Sequence, residues 1–258
     1  EMIRRLADRL VAVDLLPQAA ELLQHQVDNR LQGAARAQVA TRLAVIYLMD
    51  HKPERAQQVL RATRGSELNT NLRRLRLMLE ARALSDIGRH DVALEVIEGV
   101  ESREALRLRA DILWSARRYG EAAEQIERIL GERWKDFAPL SDLERTDLMR
   151  AAIGFALGGD AIGTARLKER YDAKMKEGPD HRSFEIATDP YAAKGVEFRD
   201  LARTVTAFST LESFLRELRR RYPEIGPLSP GETHAKIEQR HTELPPRTKA
   251  TASAELKR

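Results

Sequence analysis

The sequence predicts an all-α fold, a solenoid of antiparallel helical hairpins with a closing helical hairpin, and three observations carry that expectation. Alanine recurs at a fixed pair of positions in four successive segments. Aromatic residues make up only 5% of the chain, and 14 glycines with 10 prolines are too few for a many-stranded sandwich or barrel and its turns. Apolar residues amount to 42% of 258, enough to bury a core by ordinary packing, and no cysteine is present to staple one or to ligate zinc.

The repeat is read by aligning Ala19, Ala56, Ala93 and Ala122, each just after a turn. Twelve residues upstream of them stand Ala7, Ala44, Ala81 and Ala110, and three residues after those come Leu10, Tyr47, Leu84 and Leu113. Four residues before the upstream alanines lie Ile3, Ala40, Leu77 and Leu106, and four after the downstream ones lie Leu23, Leu60, Ile97 and Ile126. Small residues let two antiparallel backbones approach, and the large residues one turn away fill the remaining space, so each unit is one hairpin. Its turn falls at Asp14–Pro17, Asp50–Pro53, Ile87–His90 and Arg117–Gly120 in the successive units. Pro17 and Pro53 suit the first turn of a helix, and Gly88 suits a left-handed helix cap.

Residues 1–131 thus hold four hairpins, and 141–178 a degenerate fifth with Leu148, Ala152 and Phe155 in register. Ser141-Asp142-Leu143-Glu144 is a capping box opening that unit, and Gly158-Gly159-Asp160 is its turn. Capping helices are expected over 180–222: a short one near Arg182–Ala187, then Val196–Ala207 and Leu211–Tyr222, with Ser209-Thr210-Leu211-Glu212 as a capping box between the last two. This pair would close the open end of the solenoid. The periodicity ends at Pro223, and 223–258 reads as a tail, disordered or extended against something. The helical pattern already runs at Glu1, which is not Met, so the chain reads as a piece of a longer one.

The small–large pattern resembles the tetratricopeptide repeat (TPR), most clearly in IGRHDVALEVI (87–97) and in RRYGEAAEQI (117–126), which keeps the family's Tyr as Tyr119. The usual Trp of the first helix is replaced by Ile3, Ala40, Leu77 and Leu106. The resemblance implies a right-handed solenoid whose first helices line a concave groove that binds a segment of another protein. Its groove positions fall on Arg4 and Asp8, on Gln38, Thr41 and Val45, on Met78, Arg82 and Ser85, and on Arg107, Asp111 and Trp114. The candidate partner-binding residues are therefore Arg4, Gln38, Thr41, Arg82, Ser85, Arg107, Asp111 and Trp114. Trp114 reads equally as a groove contact or as packing between helices, and each Arg as a donor fork or as a surface ion pair. The Lys and Asn set of the family's carboxylate clamp is missing. Similarity to large multi-repeat bacterial proteins favours the cell envelope slightly over the cytoplasm.

No phosphate loop, dinucleotide fingerprint or metalloprotease helix occurs, and no two of the six histidines stand four apart on one helix, so neither cofactor nor metal is expected. Asp180-His181-Arg182-Ser183 is the nearest approach to a triad, but Asp and Ser there are ordinary capping residues. No apolar run is long enough for a membrane span. The 44 basic residues against 40 acidic ones, 35 of the former being Arg, leave a nucleic-acid-binding solenoid as the alternative function. Acids and bases alternate along most segments, however, which favours a solvated helical surface. The strongest basic run, Arg216 with Arg219, Arg220 and Arg221, sits where a helix C-terminus attracts cations. The sequence thus points to a non-catalytic scaffold for another protein or peptide, with self-pairing of an edge repeat left open.

Overall fold

The computed structural model describes residues 2–65, 68–176, 178–206 and 210–227. Among these residues the chain is all helical, with no strand. In order come α1 (Met2–Ala12), α2 (Leu16–Asn29), α3 (Gly33–Met49), α4 (Pro53–Ala62), α5 (Thr70–Asp86), α6 (His90–Val96) and α7 (Arg103–Ser115). They are followed by α8 (Tyr119–Leu130), α9 (Asp142–Gly158), α10 (Ala161–Met175), α11 (His181–Thr188), α12 (Val196–Thr206) and α13 (Leu211–Arg221). Short 3₁₀ turns lie at Arg133–Lys135, Ala192–Lys194 and Pro223–Ile225, the last continuing α13.

Five turns of one design join α1 to α2, α3 to α4, α5 to α6, α7 to α8 and α9 to α10. Each places one residue in the left-handed region: Asp14 (φ 62°), His51 (53°), Gly88 (80°), Arg117 (61°) and Gly159 (71°). The next amide reaches back five residues, from Leu15 to the Leu10 carbonyl (2.8 Å), Lys52 to Tyr47 (2.8 Å), Arg89 to Leu84 (2.8 Å), Arg118 to Leu113 (2.9 Å) and Asp160 to Phe155 (2.9 Å). A second bond from the left-handed residue itself, such as Gly88 N–H to Ser85 O at 2.9 Å, completes a Schellman motif and satisfies carbonyls that a helix end otherwise leaves unpaired. The acceptors Leu10, Tyr47, Leu84, Leu113 and Phe155 are the large residues of the sequence repeat, so the fifth turn keeps the geometry although the register decays beyond it.

The alanines of the repeat do what their size allows. Ala7, Ala44, Ala81 and Ala110 and their partners Ala19, Ala56, Ala93 and Ala122 are all at most 1% exposed. Each helix from α1 to α9 packs on its neighbour in the chain, and the first helices α3, α5 and α7 also touch one another. Between α8 and α9 the backbones approach so closely that a Cβ on Gly158 would lie 2.8 Å from the Gly120 nitrogen and one on Gly154 2.9 Å from the Tyr119 carbonyl oxygen.

Arginine ties consecutive hairpins together. Arg36 of α3 donates to the Val27 carbonyl at the end of α2 (2.9 Å), and Arg76 of α5 to Leu60 and Thr63 at the end of α4 (2.7 and 3.1 Å). Arg109 of α7 donates to Ile97, Glu98 and Val100 beyond α6 (2.6, 2.9 and 2.9 Å). A guanidinium at a helix C-terminus meets both the dipole and the unpaired carbonyls, so part of the arginine excess is structural.

The capping box of α9 forms, Glu144 N–H donating to Ser141 Oγ (3.3 Å) and Ser141 N–H to Glu144 Oε2 (2.8 Å). The last two helices depart from the closing hairpin that the sequence suggests. Helix α11 packs on α9 and α10, and Phe198 and Ala202 of α12 share the core of α8–α11. Phe214, Leu215 and Leu218 of α13 instead enter the core built by α1–α7. The two apolar stripes thus find different partners. Of the expected capping box at 209–212, Ser209 lies outside the described residues; Thr210 is the N-cap residue, its side chain bonds none of its own helix's amides, and Glu212 pairs with Arg216. Pro223–Ile225 forms one 3₁₀ turn with Ile225 buried, and the rest of the expected tail from 228 on lies outside the described residues.

Candidate partner-binding face

Helices α3, α5 and α7 present one composite face, built from residues three, four or seven apart on each helix: Gln38 and Arg42 on α3, Leu72, Leu75 and Arg82 on α5, Glu104 and Arg107 on α7. Across it lies the segment of α13 and the turn after it. At its amino end Arg82 Nη1 donates to Thr210 Oγ1 (2.9 Å), with the guanidinium 5.8 Å from the centre of the Phe214 ring. In the middle Arg107 Nε is 3.1 Å from Glu217 Oε2. At its carboxyl end Arg221 pairs with Glu104 (3.4 Å), and Arg42 Nη2 donates to the Pro227 carbonyl (2.9 Å). Gly226 (φ 80°) lies flat on Arg42, where a Cβ would come within 2.7 Å of the guanidinium carbon.

The eight residues picked from sequence divide into three groups. Arg82 and Arg107 are on the face and are engaged by the chain's own α13. Arg4 and Gln38 are exposed and line a cleft of about 360 Å³ with Asn69, Asn71, Glu224 and Ile225. Thr41, Ser85, Asp111 and Trp114 are buried and held inside. Thr41 Oγ1 donates to the Ala37 carbonyl (2.7 Å) and accepts from Arg76 (3.0 Å). Ser85 meets His90 Nδ1 at 3.2 Å. Asp111 accepts from Arg150 Nη1 (2.6 Å). Trp114 is 8% exposed, with Arg150 4.9 Å above its ring centre, Tyr119 edge-on at 5.2 Å and Gly154 beneath, so of its two readings packing between helices holds. Of the wider groove positions, Val45 and Met78 are buried too, and Asp8 pairs with Arg42 (3.3 Å).

Burial and charge set the carboxylates of this face against each other. Burial pushes the Asp111 carboxyl up, against the pull of Arg150. It pushes Glu217 up too, with Arg107 opposing and Glu104 adding to the rise. Glu104 ends below the usual carboxylate range: burial raises it, but its own backbone amide, Ser102 and Arg221 outweigh that. Arg107 also holds the buried Asp147 through two parallel bonds of 2.8 and 2.7 Å, so one guanidinium joins α7, α9 and α13.

Sequence reasoning missed Arg42, Glu217, Tyr222, Ile225 and Gly226. Arg42 was available, since it lies one turn beyond Gln38 on α3. The others had no signal, because nothing in a helical period says which face a later helix will seek. The Asp180–Ser183 stretch forms no relay: Asp180 lies 3.9 Å from Arg145 and His181 3.6 Å from Glu185. Among the described residues no cluster of His, Asp and Glu suits a metal, and no helix is long and apolar enough to cross a membrane. Comparison with protein-family models, curated proteins and solved structures gives no match for this chain.

Proposed function

We propose that the chain is a non-catalytic scaffold, a TPR-like right-handed solenoid that binds a segment of another protein on the face of its first helices. The observation that carries this reading is that the face already holds a peptide segment, seated by Arg82 at its amino end, Arg107 in its middle and Arg42 at its carboxyl end, with apolar side chains packed along it. That is the composition of a helix-in-groove interface, with aromatic and aliphatic anchors inside a polar, charged rim. Five consecutive Schellman turns and the contacts among α3, α5 and α7 support the stacking of first helices along one side. The binding of Arg36, Arg76 and Arg109 to helix-end carbonyls supports a scaffold over the nucleic-acid alternative, because those guanidiniums are committed within the fold.

The test is affinity capture with the full chain beside an Arg4→Ala, Gln38→Ala, Arg82→Ala variant, followed by calorimetry with each captured protein. Loss of the same proteins with the variant is the expected result, and unchanged capture overturns the assignment of this face. Arg107 and Trp114 are left intact, since replacing either would strand Asp147 or open a cavity and confuse binding with folding. Salt-sensitive binding to an unrelated duplex, with no protein captured, would replace the reading by the nucleic-acid one.

A further inference from the structure

Helix α13 behaves as a ligand of the face more than as part of the scaffold. It has eleven residues, which is too short for a helix to persist alone in water, so it exists because it is seated. Its N-cap hydroxyl, Thr210 Oγ1, accepts from Arg82 instead of from its own first turn. The hairpins contact one another directly, while α13 meets them chiefly through α7. Its contacts are also complementary in charge from end to end, Glu217 to Arg107 and Arg221 to Glu104. Alongside these pairs Phe214, Leu215 and Leu218 are at most 4% exposed, and Tyr222 and Ile225 follow them into the same core.

We propose that Leu211–Pro227 is a displaceable occupant of the first-helix face, and that the face takes in its place an amphipathic helix of another protein. That helix carries the same signature: adjacent Phe and Leu, a second Leu one turn on, and an acidic residue just before it opposite Arg107. This inference rests on the scaffold reading and adds to it the class of partner and an intrachain competitor. A cis segment has an effective concentration in the millimolar range, so an outside helix of equal intrinsic affinity is excluded until the segment is released or outmatched.

The probe is a fluorescent peptide with the sequence 208–227, followed by anisotropy against the full chain and its Leu218→Asp variant, which puts a charge into the seat of α13. Binding to the variant at least about tenfold tighter than to the wild type is expected, since an occupied face discounts affinity by the fraction of time it is free. The peptide carrying Glu217→Lys should lose that binding. Equal binding to both proteins, or none to a folded variant, overturns the proposal. Should Leu218→Asp fail to fold, Leu218→Cys decides, because the chain has no other thiol. Its labelling rate should rise with added peptide, and a rate independent of peptide overturns the proposal. The scaffold reading stands or falls separately, on the Arg4, Gln38 and Arg82 capture.

Discussion

The guanidinium of Arg107 stands 3.1 Å from the carboxylate of Glu217 while its other edge grips Asp147, so the last helix of the described chain is fastened to the same side chain that joins α7 to α9. The pairing has unequal halves. Asp147 is 5% exposed and accepts from Arg107 through both its oxygens, whereas Glu217 is 27% exposed at the rim.

Arg107→Ala should therefore cost about 3 kcal/mol, most of it from the stranded Asp147 and little from Glu217. Urea unfolding of Arg107→Ala and of Arg107→Ala with Asp147→Asn measures this; the double variant should recover much of the loss. Arg107→Lys should not, since an ammonium lacks the two-pronged geometry.

Between α8 and α9 the backbones approach as closely as a missing Cβ permits. Gly158→Ala would put a carbon 2.8 Å from the Gly120 nitrogen, and the shift it forces should lower stability by roughly 1–3 kcal/mol. Thermal unfolding is the measurement, with Gly65→Ala, where a Cβ meets nothing within 4 Å, as the control.

Three of the five left-handed turn residues are not glycine. Arg117 at φ 61° carries a Cβ in a conformation that disfavours one, so Arg117→Gly should raise stability by about 0.5–1 kcal/mol after the entropy of the freer unfolded chain is counted. A loss of stability would show that the Arg117 side chain holds something the turn geometry does not require.

Glu217 also makes a signed prediction about pH. Burial first of all, with Glu104 adding to it, raises its pKa in the folded chain above the unfolded value. Between those two values the folded state binds more protons, so this group's contribution to stability falls as pH rises through the window and is regained on acidification. Glu217→Gln removes that penalty. The variant should gain on the wild type as pH rises from below the ordinary glutamate range to neutrality, read by thermal unfolding across that span. Glu104 runs the other way: its depressed value gives stability that is lost as pH falls through it.

The division between what was legible and what was not follows the range of the interactions. Helix boundaries, the Ser141 capping box, the prolines opening α2 and α4 and the left-handed Gly88 are set by residues within one or two turns, and they can be read along the chain. The buried alanines could be read too, because antiparallel packing of adjacent helices leaves a fixed twelve-residue spacing. The binding residues were legible only as positions on a helix face. The same period that puts Thr41, Asp111 and Trp114 on first helices is satisfied whether they face outward or against the next hairpin, and contact with Arg76 and Arg150 turned them inward.

By itself, then, the sequence determined an all-helical chain of hairpins and the small residues that let them close. Tertiary structure alone decided that α12 and α13, read as one pair, part into different cores, and that α13 comes to rest across α5 and α7. Its stripe of Phe214, Leu215 and Leu218 demands an apolar seat without naming one. The choice among seats was made by Arg82, Arg107 and Glu104, which the chain brings together only once α5 and α7 have packed.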